Sequence, residues 1–226
     1  MAGRGRGLVT TRSVECGELL LVSRPVATHE ATAPGGFEGL DGMTVPLATA
    51  VLERARRSPA DLQRIYMLWG GDARADVLAG GMAYGASRLP PVPTIDMFRS
   101  DAAAAAAFAG PAAVDEARVR RIVGRNRRHG ACNPSDHLHR GAALYLLPSF
   151  INHSCVPNAA EVYVGEALVV RASRPLALGE EVTTAYFDVL APLDERQQNA
   201  ASWGFSCRCQ RCCFERSIGP VNEAFM

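Results

Sequence analysis

The stretch Asn152-His153-Ser154-Cys155-Val156-Pro157-Asn158, set after an apolar run that starts near Leu144, decides how this chain is read. Taken alone it is a polar turn, since Asn, Ser and Pro favour caps and Asx-turns. Its cysteine changes that reading once the other thiols are counted. Of seven cysteines, Cys207, Cys209, Cys212 and Cys213 fall within seven residues, while Cys16, Cys132 and Cys155 are scattered. A secreted disulfide framework spreads paired cysteines along a short chain behind a signal peptide. Clustered thiols point to metal instead. Zinc takes four thiolate or imidazole ligands in a tetrahedron, and Cys207-x-Cys209-x-x-Cys212 supplies three of them from one short segment. Cys213 is a poor fourth ligand, because adjacent cysteines fit a tetrahedron badly, and Cys155 is the natural candidate from elsewhere. Metal binding would then tie the cysteine segment to the Asn-His turn and become part of folding.

Composition narrows the classes around that centre. With 226 residues, 48% of them apolar, the chain has the length for one domain carrying a large insert, with a sizeable core. Twenty-four basic and 23 acidic side chains leave a net charge of +1, and every basic residue is Arg. So small a net charge argues against whole-molecule attraction to nucleic acid or anionic membrane. No apolar run reaches the roughly 18 residues of a membrane span, and Leu19-Leu20-Leu21-Val22 is too short for a signal-peptide core. The expected setting is intracellular, in nucleus or cytoplasm.

Local patterns place the elements. Leu8-Val9-Thr10-Thr11 and Leu19 to Val22 read as short strands around a turn at Glu15–Glu18, and residues 31–46 as a loop. A helix is expected from Leu47 to about Arg57. A second begins with Ser58 as N-cap and Pro59 at the first helical position, and carries Leu62, Ile65, Tyr66 and Trp69 on one face. Ala102 to Ala107 is helical by propensity. Residues 112–123 are also expected to be helical, with Arg118, Arg121, Arg125 and Arg128 on a solvated face. Glu161–Val164 and Ala167–Arg171 flank Gly165-Glu166 as a hairpin, Val182 to Tyr186 forms a further strand, and a short helix runs from Leu193 to Trp203.

Asn152-His153-Ser154-Cys155-x-Pro157-Asn158, then Gly179-Glu180-Glu181-x5-Tyr186, then Cys-x-Cys-x-x-Cys, in this order, resemble the SET-domain protein lysine methyltransferases. Within that superfamily the resemblance is to the SMYD-like branch without its MYND finger, and most to plant SET proteins associated with tetratricopeptide repeats. Arg4-Gly5-Arg6-Gly7-Leu8 matches the family's first motif. The resemblance implies a mainly β fold with an α-helical insert. Small curved sheets, a knot-like C-terminal threading and a zinc-bound post-SET segment complete it. The implied organisation is an N-terminal SET part over 1–30, a loop and helical insert over 31–130, a C-terminal catalytic part over 131–190, and a post-SET zinc segment and tail over 191–226.

By motif position, Arg4, Arg6, Asn126, Asn152 and His153 match residues that bind S-adenosylmethionine, Phe205 matches an aromatic residue that covers its adenine or lines the lysine channel, and Tyr186 matches a cofactor-contacting tyrosine at the methyl-transfer centre. Cys155, Cys207, Cys209 and Cys212 match the family's four structural zinc ligands, in agreement with the independent count. The implied reaction moves a methyl group to a lysine of a histone or another protein. The runner-up is a zinc-stabilised SET-like interaction module that transfers methyl groups poorly or not at all. The resemblance also implies a protein partner presenting a lysine, such as a histone tail, and an upstream repeat domain or other partner completing the cleft. The motif's start at residue 4 suggests a shortened form of a longer protein. Membrane and nucleic-acid partners are not expected.

Overall fold

The computed structural model describes residues 6–30, 40–70, 95–107, 113–129 and 141–219. Arg4 and Cys132 lie outside these residues. The chain divides into two compact units, one made of Met1–Leu20, Ile151–Glu161 and Val170–Met226, the other of Leu21–Phe150 and Val162–Val169.

The second unit holds most of the helices. Its sheet has β4 (Gly141–Leu144) between β2 (Ala27–Glu30) and β3 (Arg127–His129), both antiparallel to it. All four β4 residues are buried, which is why small residues fill this strand. Helices α1 (Leu40–Arg57) and α2 (Pro59–Tyr66) pack with α5 (Glu116–Asn126) around Leu47, Val51, Ile65, Val119 and Ile122. Between them in sequence come α3 (Asp96–Arg99) and the alanine helix α4 (Asp101–Ala107). The cap of α2 follows the sequence: the Ser58 hydroxyl accepts from the Asp61 amide and Pro59 stands at the first helical position. Three readings need correction. Helix α1 starts at Leu40, inside the expected loop. Helix α2 ends at Tyr66, so Trp69 lies beyond it, nearly half exposed. The arginines of α5 do not share a solvated face, because Arg118 is buried with its guanidinium 4.2 Å from the Tyr66 ring centre and donating to the Tyr66 carbonyl. Asp101 accepts from the buried Arg64 at 2.7 Å.

In the first unit the segment after Gly7 runs antiparallel to residues 176–182, through the bridges Val9 to Glu181 and Val14 to Leu176. The expected strand at Leu8–Thr11 is reduced to that bridge. Strands β5 (Asn152–His153) and β8 (Thr183–Thr184) pair in parallel, Asn152 beside Thr183 and His153 beside Thr184. Helices α6 (Leu193–Ser202) and α7 (Gln210–Ile218) follow. A third sheet has the order β1 (Leu19–Ser23), β7 (Ala167–Ala172), β6 (Ala159–Val164). Its β6–β7 turn has Gly165 at φ +60°, a left-handed conformation that favours glycine.

Candidate functional site

The β5–β8 pair fixes the backbone of the Asn-His motif, and side chains fix the rest. Asn158 reaches across to the neighbouring strand region: its Oδ1 accepts from the Thr183 amide at 2.8 Å and its Nδ2 donates to the Glu181 carbonyl at 2.8 Å. The terminal Asn of the motif therefore acts as a backbone splint, as buried amide side chains do when both ends find partners. Asn152 Nδ2 donates to the Arg6 carbonyl at 3.1 Å and to Glu181 Oε1 at 2.8 Å. Gly7 completes this junction, since a Cβ there would lie 2.8 Å from both Asn152 Nδ2 and Glu181 Oε1.

Around His153 the aromatic residues converge. Its ring lies 4.2 Å from the Phe187 ring centre, 5.5 Å from Tyr186 and 5.7 Å from Phe205. Tyr186 in turn stands 5.0 Å from Trp203 and meets Phe205 edge-on at 6.2 Å. The Tyr186 hydroxyl donates to the Ile151 carbonyl at 2.6 Å, and the Tyr186 amide donates to His153 Nδ1 at 3.1 Å. Tyr186, Trp203 and Phe205 are each half-buried, so their rings form a partly open apolar surface beside one phenol and one carbonyl. Oxygen acceptors and ring faces together suit a positively charged group.

Cys155, Cys207, Cys209 and Cys212 are all buried, and their sulfurs lie within 4.8 Å of one another. Cys155 Sγ is 3.8 Å from Cys207 Sγ and 3.6 Å from Cys212 Sγ. A tetrahedral zinc with bonds of about 2.3 Å sets neighbouring sulfurs about 3.8 Å apart, so the cluster fits zinc. Burial pushes the Cys207 thiol up to about 11 and that of Cys212 higher still. Burial opposes ionisation of Cys209 too, yet the amides of Cys212 and Cys155 outweigh it and bring this thiol down to about 6. Of these three, Cys209 is thus the thiol most ready to meet a metal as thiolate. The exposed Cys16 and Cys213 stand apart from the cluster.

Sequence reasoning missed the residues behind these ligands. Arg196 is fully buried; its Nη1 donates to Cys212 Sγ at 3.2 Å, its Nε to the Ala191 carbonyl at 2.8 Å, and its Nη2 to Glu215. Gln197 Nε2 donates to the Cys207 carbonyl at 3.2 Å and approaches Cys212 Sγ at 3.4 Å. A zinc tetrathiolate carries a double negative charge, and a buried guanidinium beside it offsets part of that charge and orients the sulfur. Nothing local marks an Arg in a ten-residue polar helix for this role, because its burial depends on where α7 lands.

The structure thus brings together Asn152, His153, Tyr186, Phe205 and the four cysteines, with Arg6 present through its carbonyl. Asn126 lies in the other unit, at the end of α5, with Nδ2 donating to the carbonyls of Trp69 at 2.7 Å and Ile122 at 2.8 Å. Tyr163 is tilted against Tyr145 at 6.3 Å in that same unit.

Several known proteins are similar to part of this chain. N-lysine methyltransferase SMYD2 of Homo sapiens is 40% identical over 75 residues, covering 33% of this chain and 17% of the relative. Histone-lysine N-methyltransferase SMYD3 of Homo sapiens is 41% identical over 73 residues, 32% of this chain and 17% of that protein. Histone-lysine N-methyltransferase ATXR2 of Arabidopsis thaliana is 42% identical over 78 residues, 32% of this chain and 16% of that protein. The matched stretch therefore spans about a sixth of each relative's length. The family model described as SET domain matches residues 5–187, and with most of its length inside that match the chain belongs to the SET-domain family.

Proposed function

We propose that this protein transfers a methyl group from S-adenosylmethionine to lysine side chains of proteins, with histone tails among the candidate substrates. The observation that carries the reading is Tyr186, anchored at its hydroxyl by Ile151 and at its amide by His153, within a surface of aromatic rings. The bound cofactor supplies a methyl group on a sulfonium, open to in-line attack by an amine. Oxygen acceptors and aromatic faces suit both that cation and the alkyl-ammonium product. Free lysine has a pKa near ~10.4, and the half-buried rings of Trp203, Phe205 and Tyr186 favour its neutral form by stripping water. An amine held beside Tyr186 and the Ile151 carbonyl would be placed for attack on that methyl group, with the thioether as leaving group and solvent taking the proton. Tyr186 and the Ile151 carbonyl contribute orientation rather than proton transfer.

Cofactor-binding roles are proposed for Arg4, Arg6, Asn126, Asn152, His153, Tyr186 and Phe205, and the catalytic role for Tyr186. Cys155, Cys207, Cys209 and Cys212 would hold zinc, which builds the wall behind Phe205 and takes no part in the chemical step. Beyond a protein substrate, a further domain or partner that completes the cleft belongs to the same reading, as does an intracellular setting. No helix among the described residues is long and apolar enough to cross a membrane.

The test is transfer of labelled methyl to histones and to a lysine-rich protein extract. Tyr186→Phe removes the hydroxyl bond to Ile151 and should lower kcat about 10–100-fold with the fold intact. Because the chain contains no lysine, a labelled band at its own mass, away from the α-amino group, would contradict lysine chemistry. Absence of transfer, with zinc bound and the fold intact, would sink the enzyme reading in favour of an interaction module.

A further inference from the structure

We infer that the His153 side chain is a positioning residue that couples the metal cluster to Tyr186, with its proton held on Nε2. The inference rests on the methyltransferase reading for its kinetic consequence and on geometry alone for its structural one. The ring is buried, and its two nitrogens face different groups. Nδ1 lies 3.1 Å from the Tyr186 amide, and Nε2 lies 3.3 Å from Cys155 Sγ.

An amide nitrogen can only donate, so Nδ1 must be bare, and a neutral imidazole with a bare Nδ1 carries its proton on Nε2. A metal-bound thiolate has no proton and can only accept. Both neighbours therefore demand the same tautomer, and the ring bridges them as Tyr186 N–H to Nδ1 and Nε2–H to Cys155 Sγ. Metal binding thus strengthens the bond that fixes the ring, and the ring fixes the tyrosine amide 33 residues away. The backbone of His153 is held separately, by pairing with Thr184, so the side chain can be altered without removing strand β5.

Two substitutions separate the halves of this bridge. His153→Asn places a carbonyl near the Nδ1 position and lacks the donor to sulfur; His153→Gln places an amide donor near Nε2 and lacks the acceptor for Tyr186. Zinc affinity by chelator competition should rank wild type, then Gln, then Asn, with Asn weaker by about tenfold. With zinc saturating, kcat should rank in the opposite order for the variants, Asn above Gln by about tenfold, whatever rise in KM for the methyl donor the two share. Equal ranks in the two measurements, or a loss confined to the KM of the methyl donor, would overturn the coupling.

Should either variant fail to fold, the wild-type protein still decides. Nitrogen-15 correlation spectra of its zinc-bound form should show His153 protonated at Nε2, and protonation at Nδ1 would refute the inference. If wild-type protein transfers no methyl group, the proposed function falls, whereas the zinc ranking and the tautomer continue to test the bridge.

Discussion

Glu180 shows how one side chain of the Gly-Glu-Glu turn serves three donors. Its carboxylate accepts from Arg174 at 2.5 Å and from the Ala177 amide at 3.0 Å, and Asn158 Nδ2 approaches it at 3.3 Å. The Arg174 bond first, and the Ala177 amide next, hold this carboxyl down at about 2. A depressed carboxylate stabilises the fold fully above its unfolded pKa, near ~4.3, and loses that contribution as pH falls towards the folded value. Glu180→Gln should therefore cost about 1 kcal/mol at neutral pH, because water around the half-exposed Arg174 screens the pair. Urea unfolding of both proteins from pH 6 to pH 2 should show the gap closing as acid is added, and a gap of constant size would contradict the assignment. The motif residues themselves were readable from sequence, since Asn152, His153, Asn158, Tyr186 and the cysteines carry their chemistry in their spacing. Arg196, Gln197 and the pairing of Arg64 with Asp101 were not, because each partner comes from a different element and burial alone gives it meaning.

Strands and helices were recovered unevenly, for reasons that lie in their composition. The β6–β7 hairpin, the cap of α2 and helix α6 announce themselves through alternation, Ser58-Pro59 and polar helix formers. Strand β4 reads Gly-Ala-Ala-Leu and is buried throughout, so it offers neither alternation nor β-branched residues, and it escapes notice. Helix α7 hides in the cysteine cluster, whose ligand spacing dominates the reading of 207–213. The segment at Gly7 makes a sharper statement about element assembly. Its missing side chain lets the first strand-like segment lie against Asn152 and Glu181, and an added methyl group would displace atoms now 2.8 Å from that position. Both are ends of side chains, so the main cost falls on the Asn152 bonds to Arg6 and Glu181 rather than on packing. Gly7→Ala should accordingly lower stability by only about 1–2 kcal/mol while weakening affinity for S-adenosylmethionine about tenfold or more. Thermal unfolding with and without the cofactor checks this: the variant should show a small shift alone and a much smaller gain on adding ligand than wild type. A full ligand-induced gain would mean that the Asn152 orientation is unimportant for binding.

All four thiols of the proposed zinc site come from one of the two compact units, and that distribution predicts what metal removal does to the chain. The cysteine cluster packs with Ala200 and against Phe187, Val189, Leu193 and Phe205, a small apolar set for two helices of ten and nine residues. Helices that short are marginal in water without tertiary support, and here much of the support passes through sulfur. The core of the other unit, built on Leu47, Val51, Ile65, Val119 and Ile122, contains no ligand. A strong chelator should therefore lower the first unfolding transition by at least about 5 °C and release hydrogen-exchange protection in α6, α7 and the Asn152–Cys155 stretch. Protection in α1, α2 and α5 should persist under the same mild conditions, and added zinc should restore the rest. Unchanged protection around the cysteines would mean that they are ordinary buried thiols held by packing. Uniform loss across α1, α2 and α5 would mean that the ion supports the whole chain, with the wall of aromatic residues beside Tyr186 only one of its dependants.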